Sequence, residues 1–187
     1  MSGGRVLVVA ATERELDDVR DADTLCCGIG PVEAALQTAH MLADRRPRAV
    51  VNIGLAGAQS IEPPALVLGS EAVYCDLVDP GSRLPRVLRV EPDPQLLALA
   101  HEALPEASVA PIGTCGRVGG GTSCAVEAME GFGVLRAAAL AGVPAVELRA
   151  ISNAVRESDR DRWRIEEAFS ALGEATARVL AVLERPG

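Results

Sequence analysis

Aromatic residues are scarce, with one tryptophan, one tyrosine and two phenylalanines making up 2% of 187 residues. A core must therefore be built from Ala, Val, Leu and Ile, which suits buried parallel strands covered by alanine-rich helices. Histidine is almost as rare. His40 and His101 each fall in a helix-like stretch and in no metal-spaced cluster, so a histidine-based triad or zinc site has little to work with. The five cysteines (Cys26, Cys27, Cys75, Cys115 and Cys124) are odd in number and form no CxxC. That argues against a disulfide framework and for small buried hydrophobes or surface thiols. There is no basic run, and the net charge is −8 with a pI of about 4.8, which argues against nucleic-acid or membrane-surface binding. No apolar run approaches the roughly 20 residues of a membrane span. The first one follows only MSGGR and leads to Glu13 and Glu15, unlike a signal peptide. The expectation is a soluble, cytoplasmic chain whose 187 residues form one domain.

What is present alternates between strand-like and helix-like runs. RVLVVAA (5–11) reads as a central strand, and Thr12 with Glu15 has the T-x-x-E spacing of a capping box. Glu15 either caps that helix or points into a pocket at the strand's carboxyl end. Residues 23–28 read as a second strand ending in Gly28-Ile29-Gly30-Pro31, with a helix from about Val32 to Arg46. One GIG turn is too little for a dinucleotide site. RAVVNIG (48–54) is a buried-type strand, and the small residues Leu55-Ala56-Gly57-Ala58 after it either let a ligand lie against backbone or simply make a close turn. LVLGSEAVYC (66–75) reads as a strand bent at Gly69. The stretch 79–94 is loop-rich, 94–104 is an amphipathic helix and 107–114 another strand. The glycine-rich stretch 116–123 lacks the G-K-[ST] ending of a P-loop and reads as a mobile, site-flanking loop. Trp163 opens a long alanine-rich helix to about Leu183, where its expected role is packing. The pattern implies one α/β/α layered domain.

The organising stretch runs from Val126 to Asn153, VEAMEGFGVLRAAALAGVPAVELRAISN. It opens on the acids Glu127 and Glu130, passes through a helix and a strand, and delivers Ser152 and Asn153 at the strand's end. Carboxylates at a helix start and polar side chains at a strand's carboxyl end are where open α/β sheets build sites.

The order AATERE, GIGPVEAA, VVNIGLAGA, LGSEAV, VEAMEG, LRAISN resembles the purine nucleoside phosphorylase/nucleosidase superfamily over nearly the whole chain. Within it the layout is similar to the methylthioadenosine/S-adenosylhomocysteine nucleosidases and most similar to the futalosine hydrolases of menaquinone biosynthesis. The resemblance implies a three-layer α/β/α sandwich with a mixed, partly barrel-like sheet. It implies hydrolysis of an N-glycosidic bond, a small nucleoside substrate, no metal or organic cofactor, and a homo-oligomer, dimer or larger.

Roles follow by resemblance. Glu15 matches the acid that activates water. Glu130 matches the carboxylate that takes the ribose hydroxyls, beside Met129 at the sugar face, and Arg149 and Ser152 are read as supports for these residues. At Asn153 the methylthioadenosine-type enzymes carry an aspartic acid. An amide donates to a 6-oxopurine where an acid would protonate the leaving base, so Asn153 points to hypoxanthine, the base of futalosine. Base stacking has no obvious donor, Phe132 being one candidate. The readings that stay open are a methylthioadenosine-type nucleosidase, a purine nucleoside phosphorylase kept in play by Arg14 and Arg149, and a nucleoside-binding protein without turnover.

Overall fold

The computed structural model describes residues 4–81, 83–119 and 121–184. Gly120 of the glycine-rich loop and the first three residues, both used in the sequence reading, lie outside that set. Eight strands form one mixed sheet: β1 (Val6–Ala10), β2 (Asp23–Cys26), β3 (Ala49–Ala58), β4 (Ala65–Tyr74), β5 (Arg89–Val90), β6 (Ser108–Thr114), β7 (Val126–Ala128) and β8 (Ala145–Ala154). Four α-helices cover it: α1 (Pro31–Asp44), α2 (Pro94–Ala103), α3 (Gly131–Ala141) and α4 (Ile165–Leu183).

The strands follow the order β2-β1-β3-β7-β6-β4-β5, and β8 pairs with both β3 and β4. Pairing therefore closes a ring through β3, β8, β4, β6 and β7. This is the barrel-like part of the sheet, and Val67, Ile112, Val126 and Ile151 fill its interior with small neighbours such as Ala56 and Ala128. Outside the ring, β1 shows why the strands are apolar without alternation. Val6, Val8 and Ala10 pack towards α2 and α4, whereas Leu7 and Val9 pack towards α1 and α3. A strand buried on both faces has no polar side. The long helix α4 buries Ala168, Leu172, Ala175, Thr176, Val179, Leu180 and Leu183, the one-face spacing of an amphipathic helix.

Several elements differ from the sequence reading. Leu55–Ala58 continues β3 instead of turning, because β8 pairs beside it out to Ala58. The strand β7 escapes a pattern search. Its three residues are held by pairing with β3 on one side and β6 on the other. Strands and helices also do not alternate throughout, since β3 runs to β4 and β6 to β7 with no helix between. Trp163 precedes α4, whose first residue is Ile165, and follows a 3₁₀ turn at Arg160–Arg162. Among the described residues no helix is long and apolar enough to cross a membrane. The five cysteines are unpaired thiols. Burial pushes the Cys27 thiol up to about 12, with the Glu130 charge as the next cause, and burial likewise raises Cys115 to about 12.

Candidate active site

The carboxyl ends of β1, β3 and β8 meet β7 and the start of α3 around a cleft of about 230 Å³. Glu15, Ala56, Gly57, Met129, Glu130, Ser152 and Asn153 all line it. These are the positions singled out in the sequence, with one exception.

Glu15 serves both readings at once. Thr12 donates to its Oε2 from the backbone N and from Oγ1, each at 2.9 Å, and Leu55 N donates to Oε1 at 3.1 Å. Those bonds fix the 3₁₀ turn Glu13–Leu16 directly after β1 and hold the carboxylate against the end of β3. A carboxylate has roughly four acceptor positions, so three donors leave about one for a ligand or water.

Glu130 is 5% exposed and stands at the N-cap of α3. Its Oε1 accepts from Gly30 N at 3.1 Å and its Oε2 from Arg149 Nη1 at 3.4 Å. Gly30 has φ 97°, a conformation open to glycine, and it caps the N-terminus of α1. A glycine turn before a helix can hold an anion, and here the Gly30 amide receives the chain's own Glu130. The glycine-rich loop behaves the same way. Gly119 N and Gly121 N both donate to the Glu127 carboxylate at 2.7 Å, and Arg117, Val118 and Gly119 are thereby drawn against the cleft. The cleft wall carries three carboxylates, Glu15, Glu127 and Glu130, against one guanidinium, Arg117.

The β3–β8 pairing slips between Ala56 and Gly57: Ala56 faces Ile151 and Gly57 faces Asn153, which leaves Ser152 as an extra residue. Successive strand side chains normally point to opposite faces, and a bulge re-aims them. Here both Ser152 and Asn153 reach the cleft. Asn153 Nδ2 donates to Ala154 O at 2.9 Å, and because that carbonyl can only accept, the amide orientation is set. Ser152 Oγ donates to Asn153 Oδ1 at 2.9 Å. One amide hydrogen of Asn153 is left over.

Arg149 is the exception. It does not line the cleft but lies behind it, its side chain 1% exposed, with Nε on Glu147 Oε1 at 2.9 Å, Nη2 on Asn52 Oδ1 at 2.8 Å and Nη1 on Glu130. Asn52 is anchored by donating to Val9 O at 3.0 Å. Gly54 makes room for this group, since a Cβ there would strike the Arg149 guanidinium and stand 2.9 Å from Glu15 Oε1. Arg149 therefore supports Glu130 from within and does not reach a ligand in this arrangement. Burial drives the Glu147 carboxyl up despite the neighbouring guanidinium, and Glu147 Oε2 has no hydrogen-bond partner.

Phe132 is not a base platform. It stacks on Tyr74 with ring centroids 5.2 Å apart and packs with α1 and α3. The aromatic residue at the cleft is Trp163, whose indole Nε1 donates to Glu157 O at 3.0 Å. Sequence reasoning missed it, along with Ile29, Val155 and Ile165 on the same wall. Only the lone tryptophan within a charged segment offered a signal.

A barrel-closing mixed sheet with a carboxylate-lined cleft at its strand ends defines the class of protein. The phosphorylase superfamily model matches residues 24–185, and the chain belongs to that superfamily. Within it, the relatives of 30% identity or more are named futalosine hydrolase, while solved methylthioadenosine/S-adenosylhomocysteine nucleosidases share the fold at lower identity. The chain is 37% identical over 194 residues to futalosine hydrolase of Streptomyces coelicolor, covering 87% of this chain and 80% of the relative. It is 30% identical over 184 residues to futalosine hydrolase of Thermus thermophilus, covering 82% and 79%. By this likeness it falls among the futalosine hydrolases of the superfamily. The structure of futalosine hydrolase from Helicobacter pylori shares the fold, with a TM-score of 0.82 at 17% identity over 97% of both chains.

Proposed function

We propose that this chain hydrolyses the N-glycosidic bond of futalosine, giving hypoxanthine and dehypoxanthine futalosine, as a step of menaquinone biosynthesis. The observation that carries hydrolysis over phosphorolysis is the charge of the cleft. Both glycine-rich features able to hold an anion are occupied by the chain's own carboxylates, and three carboxylates surround the reacting space. Such a wall repels phosphate and favours an oxocarbenium-like sugar.

Glu15 orients the attacking water and takes its proton as the water oxygen bonds to the anomeric carbon. The C–N bond breaks with its electron pair leaving on the base, which takes up a proton from solvent to depart as neutral hypoxanthine, while Glu15 returns the proton it took to solvent. Glu130 accepts the ribose hydroxyls and stabilises the positive sugar, with Met129 against it. Asn153 donates its remaining amide hydrogen to the departing 6-oxopurine, and Ser152 keeps that amide in place. Ala56 and Gly57 present backbone to the ligand. We read residues 1–187 as one domain working in the cytoplasm as a homo-oligomer without a cofactor.

The test is a product assay in which futalosine, inosine and methylthioadenosine are each offered with and without phosphate. Hypoxanthine release from futalosine, unchanged by phosphate, is the expected result. Adenine release from methylthioadenosine would refute the role given to Asn153.

A further inference from the structure

Glu147 is a carboxyl with no exposed surface, in the middle of β8, and it touches no part of the cleft. It stands two residues before Arg149, so both side chains project from the same face of the strand. Two glycines make its space. A Cβ on Gly131 would strike both carboxyl oxygens, and one on Gly69 would stand 3.4 Å from Oε2. Gly131 opens α3 directly after Glu130, so the Glu147 carboxyl presses on the turn that carries Glu130.

Two anchors orient the Arg149 guanidinium: Glu147 Oε1 accepts from Nε at 2.9 Å and Asn52 Oδ1 from Nη2 at 2.8 Å. Because the group is planar, fixing those two nitrogens also fixes Nη1, which reaches Glu130 at 3.4 Å. Asn52 is neutral, so one cation stands between two carboxyls. Glu147 Oε2 has no hydrogen-bond partner among the described residues. If both carboxyls were ionised, an uncompensated charge would lie away from water, at a high cost.

We infer that Glu147 is a positioning residue of the reaction, holding a proton so that the charge of Arg149 is left to Glu130 and keeps that carboxylate placed for the ribose hydroxyls. The inference rests on reading Glu130 as the sugar-binding carboxylate, and it adds the group that controls it. Burial acts in the same direction, raising the Glu147 carboxyl in spite of the guanidinium. The charges acting on Glu147 are Arg149 on its own strand and Glu130 at the start of α3. Glu15 and the Cys27 thiol lie one step further out, Glu15 acting on Arg149 and Cys27 feeling both Arg149 and Glu130. From β3 and β4 come Asn52 and Gly69, which carry no charge. Once its proton leaves to solvent at higher pH, Glu147 competes for the cation from the nearer position, 2.9 Å against 3.4 Å. Arg149 is then drawn to the rear and Glu130 loses its hold.

The test is the pH dependence of kcat/KM for futalosine cleavage, taken from pH 5 to pH 9, which reports ionisations of the free enzyme. In the parent it should fall at least about tenfold towards alkaline pH. Glu147→Gln keeps the acceptor for Nε and cannot ionise, so that fall should disappear. Glu147→Leu removes the acceptor and should lower kcat/KM about tenfold at every pH. A role in stability alone would leave the profile of each folded variant like the parent's. A flat parent profile, a fall that persists in Glu147→Gln, or a Glu147→Leu protein as active as the parent would overturn the inference. Carbon NMR of protein with ¹³C-labelled glutamate carboxyls reads the same device without turnover. The resonance missing from Glu147→Gln should titrate above 4.5, the ordinary value, and the one missing from Glu130→Gln should shift with the same midpoint. A parent that leaves futalosine intact would refute the proposed reaction. A Glu130 resonance indifferent to Glu147 would overturn the positioning role, whether or not futalosine is cleaved.

Discussion

Replacing Arg149 with methionine should destabilise the fold more than almost any other single change at the site. The guanidinium is buried and joins Glu147 at 2.9 Å, Glu130 at 3.4 Å and Asn52 at 2.8 Å. Removing one partner of a buried ion pair typically costs about 3–5 kcal/mol, because a charge is left in a poorly solvating interior. Here two carboxylates lose their cation together. Against a total stability of roughly 5–15 kcal/mol, that is a large share. Glu147→Gln removes the other side of the same pair and should cost below about 1.5 kcal/mol. Its Oε1 acceptor for Arg149 is kept, Oε2 has no bond to lose, and the carboxyl is already disfavoured as an anion by burial. The pH dependence follows from that raised folded-state value. Glu147 contributes stability that is fully present below its ordinary 4.5 and lost as pH rises through the folded value. The balance should therefore shift towards Glu147→Gln as the pH increases above 4.5. Denaturant midpoints for both variants, taken across pH 4–8, read all three effects. An Arg149→Met protein within about 1 kcal/mol of the parent, or a Glu147→Gln protein equally unstable, would show that the buried charge arrangement has been misjudged.

Three further outcomes concern the cleft. Glu15→Gln should lower turnover by about 10²–10⁴-fold with little change in substrate binding, since the amide keeps an acceptor for Leu55 but cannot take a proton. Steady-state kinetics paired with calorimetry separates the two. Gly54→Ala drives a methyl into Arg149 and Glu15, so it should cost about 1–3 kcal/mol and depress activity together, measured by thermal melts and rate. Asn153→Asp sets a carboxylate against Ala154 O and removes the donor facing a 6-oxopurine. The ratio of inosine to adenosine cleavage should fall at least about tenfold, read by chromatography of the released bases.

Much of this was legible in the residues themselves. Thr12 and Glu15 announce their own geometry because capping is a local interaction, and the apolar run after Arg5 signals a strand buried on both faces. Glu130 and Asn153 are recognisable because their neighbours, Met129-Glu130-Gly131 and Arg149-Ala150-Ile151-Ser152-Asn153, form short patterns of unusual composition. What stayed hidden depends on partners distant in sequence. Three residues of β7 carry no periodicity and exist through β3 and β6. The slip at Ser152 is a property of two strands, and nothing in LRAISN distinguishes a bulge from a regular strand. Glu127 looks like half of an acidic pair, yet it is committed to Gly119 and Gly121. Arg149 and Trp163 exchange their expected places for a related reason. The arginine is drawn inward by Glu147 and Asn52, and the tryptophan is turned to the cleft by the carbonyl of Glu157.

The central claim is that water, not phosphate, attacks the sugar in a cleft walled by Glu15, Glu127 and Glu130. The most direct measurement runs the futalosine reaction in ¹⁸O-labelled water, with and without phosphate, and weighs the products. The account predicts one labelled oxygen on the sugar product, none in hypoxanthine, and a rate indifferent to phosphate. A sugar phosphate as product, or a rate that rises with phosphate, would contradict it.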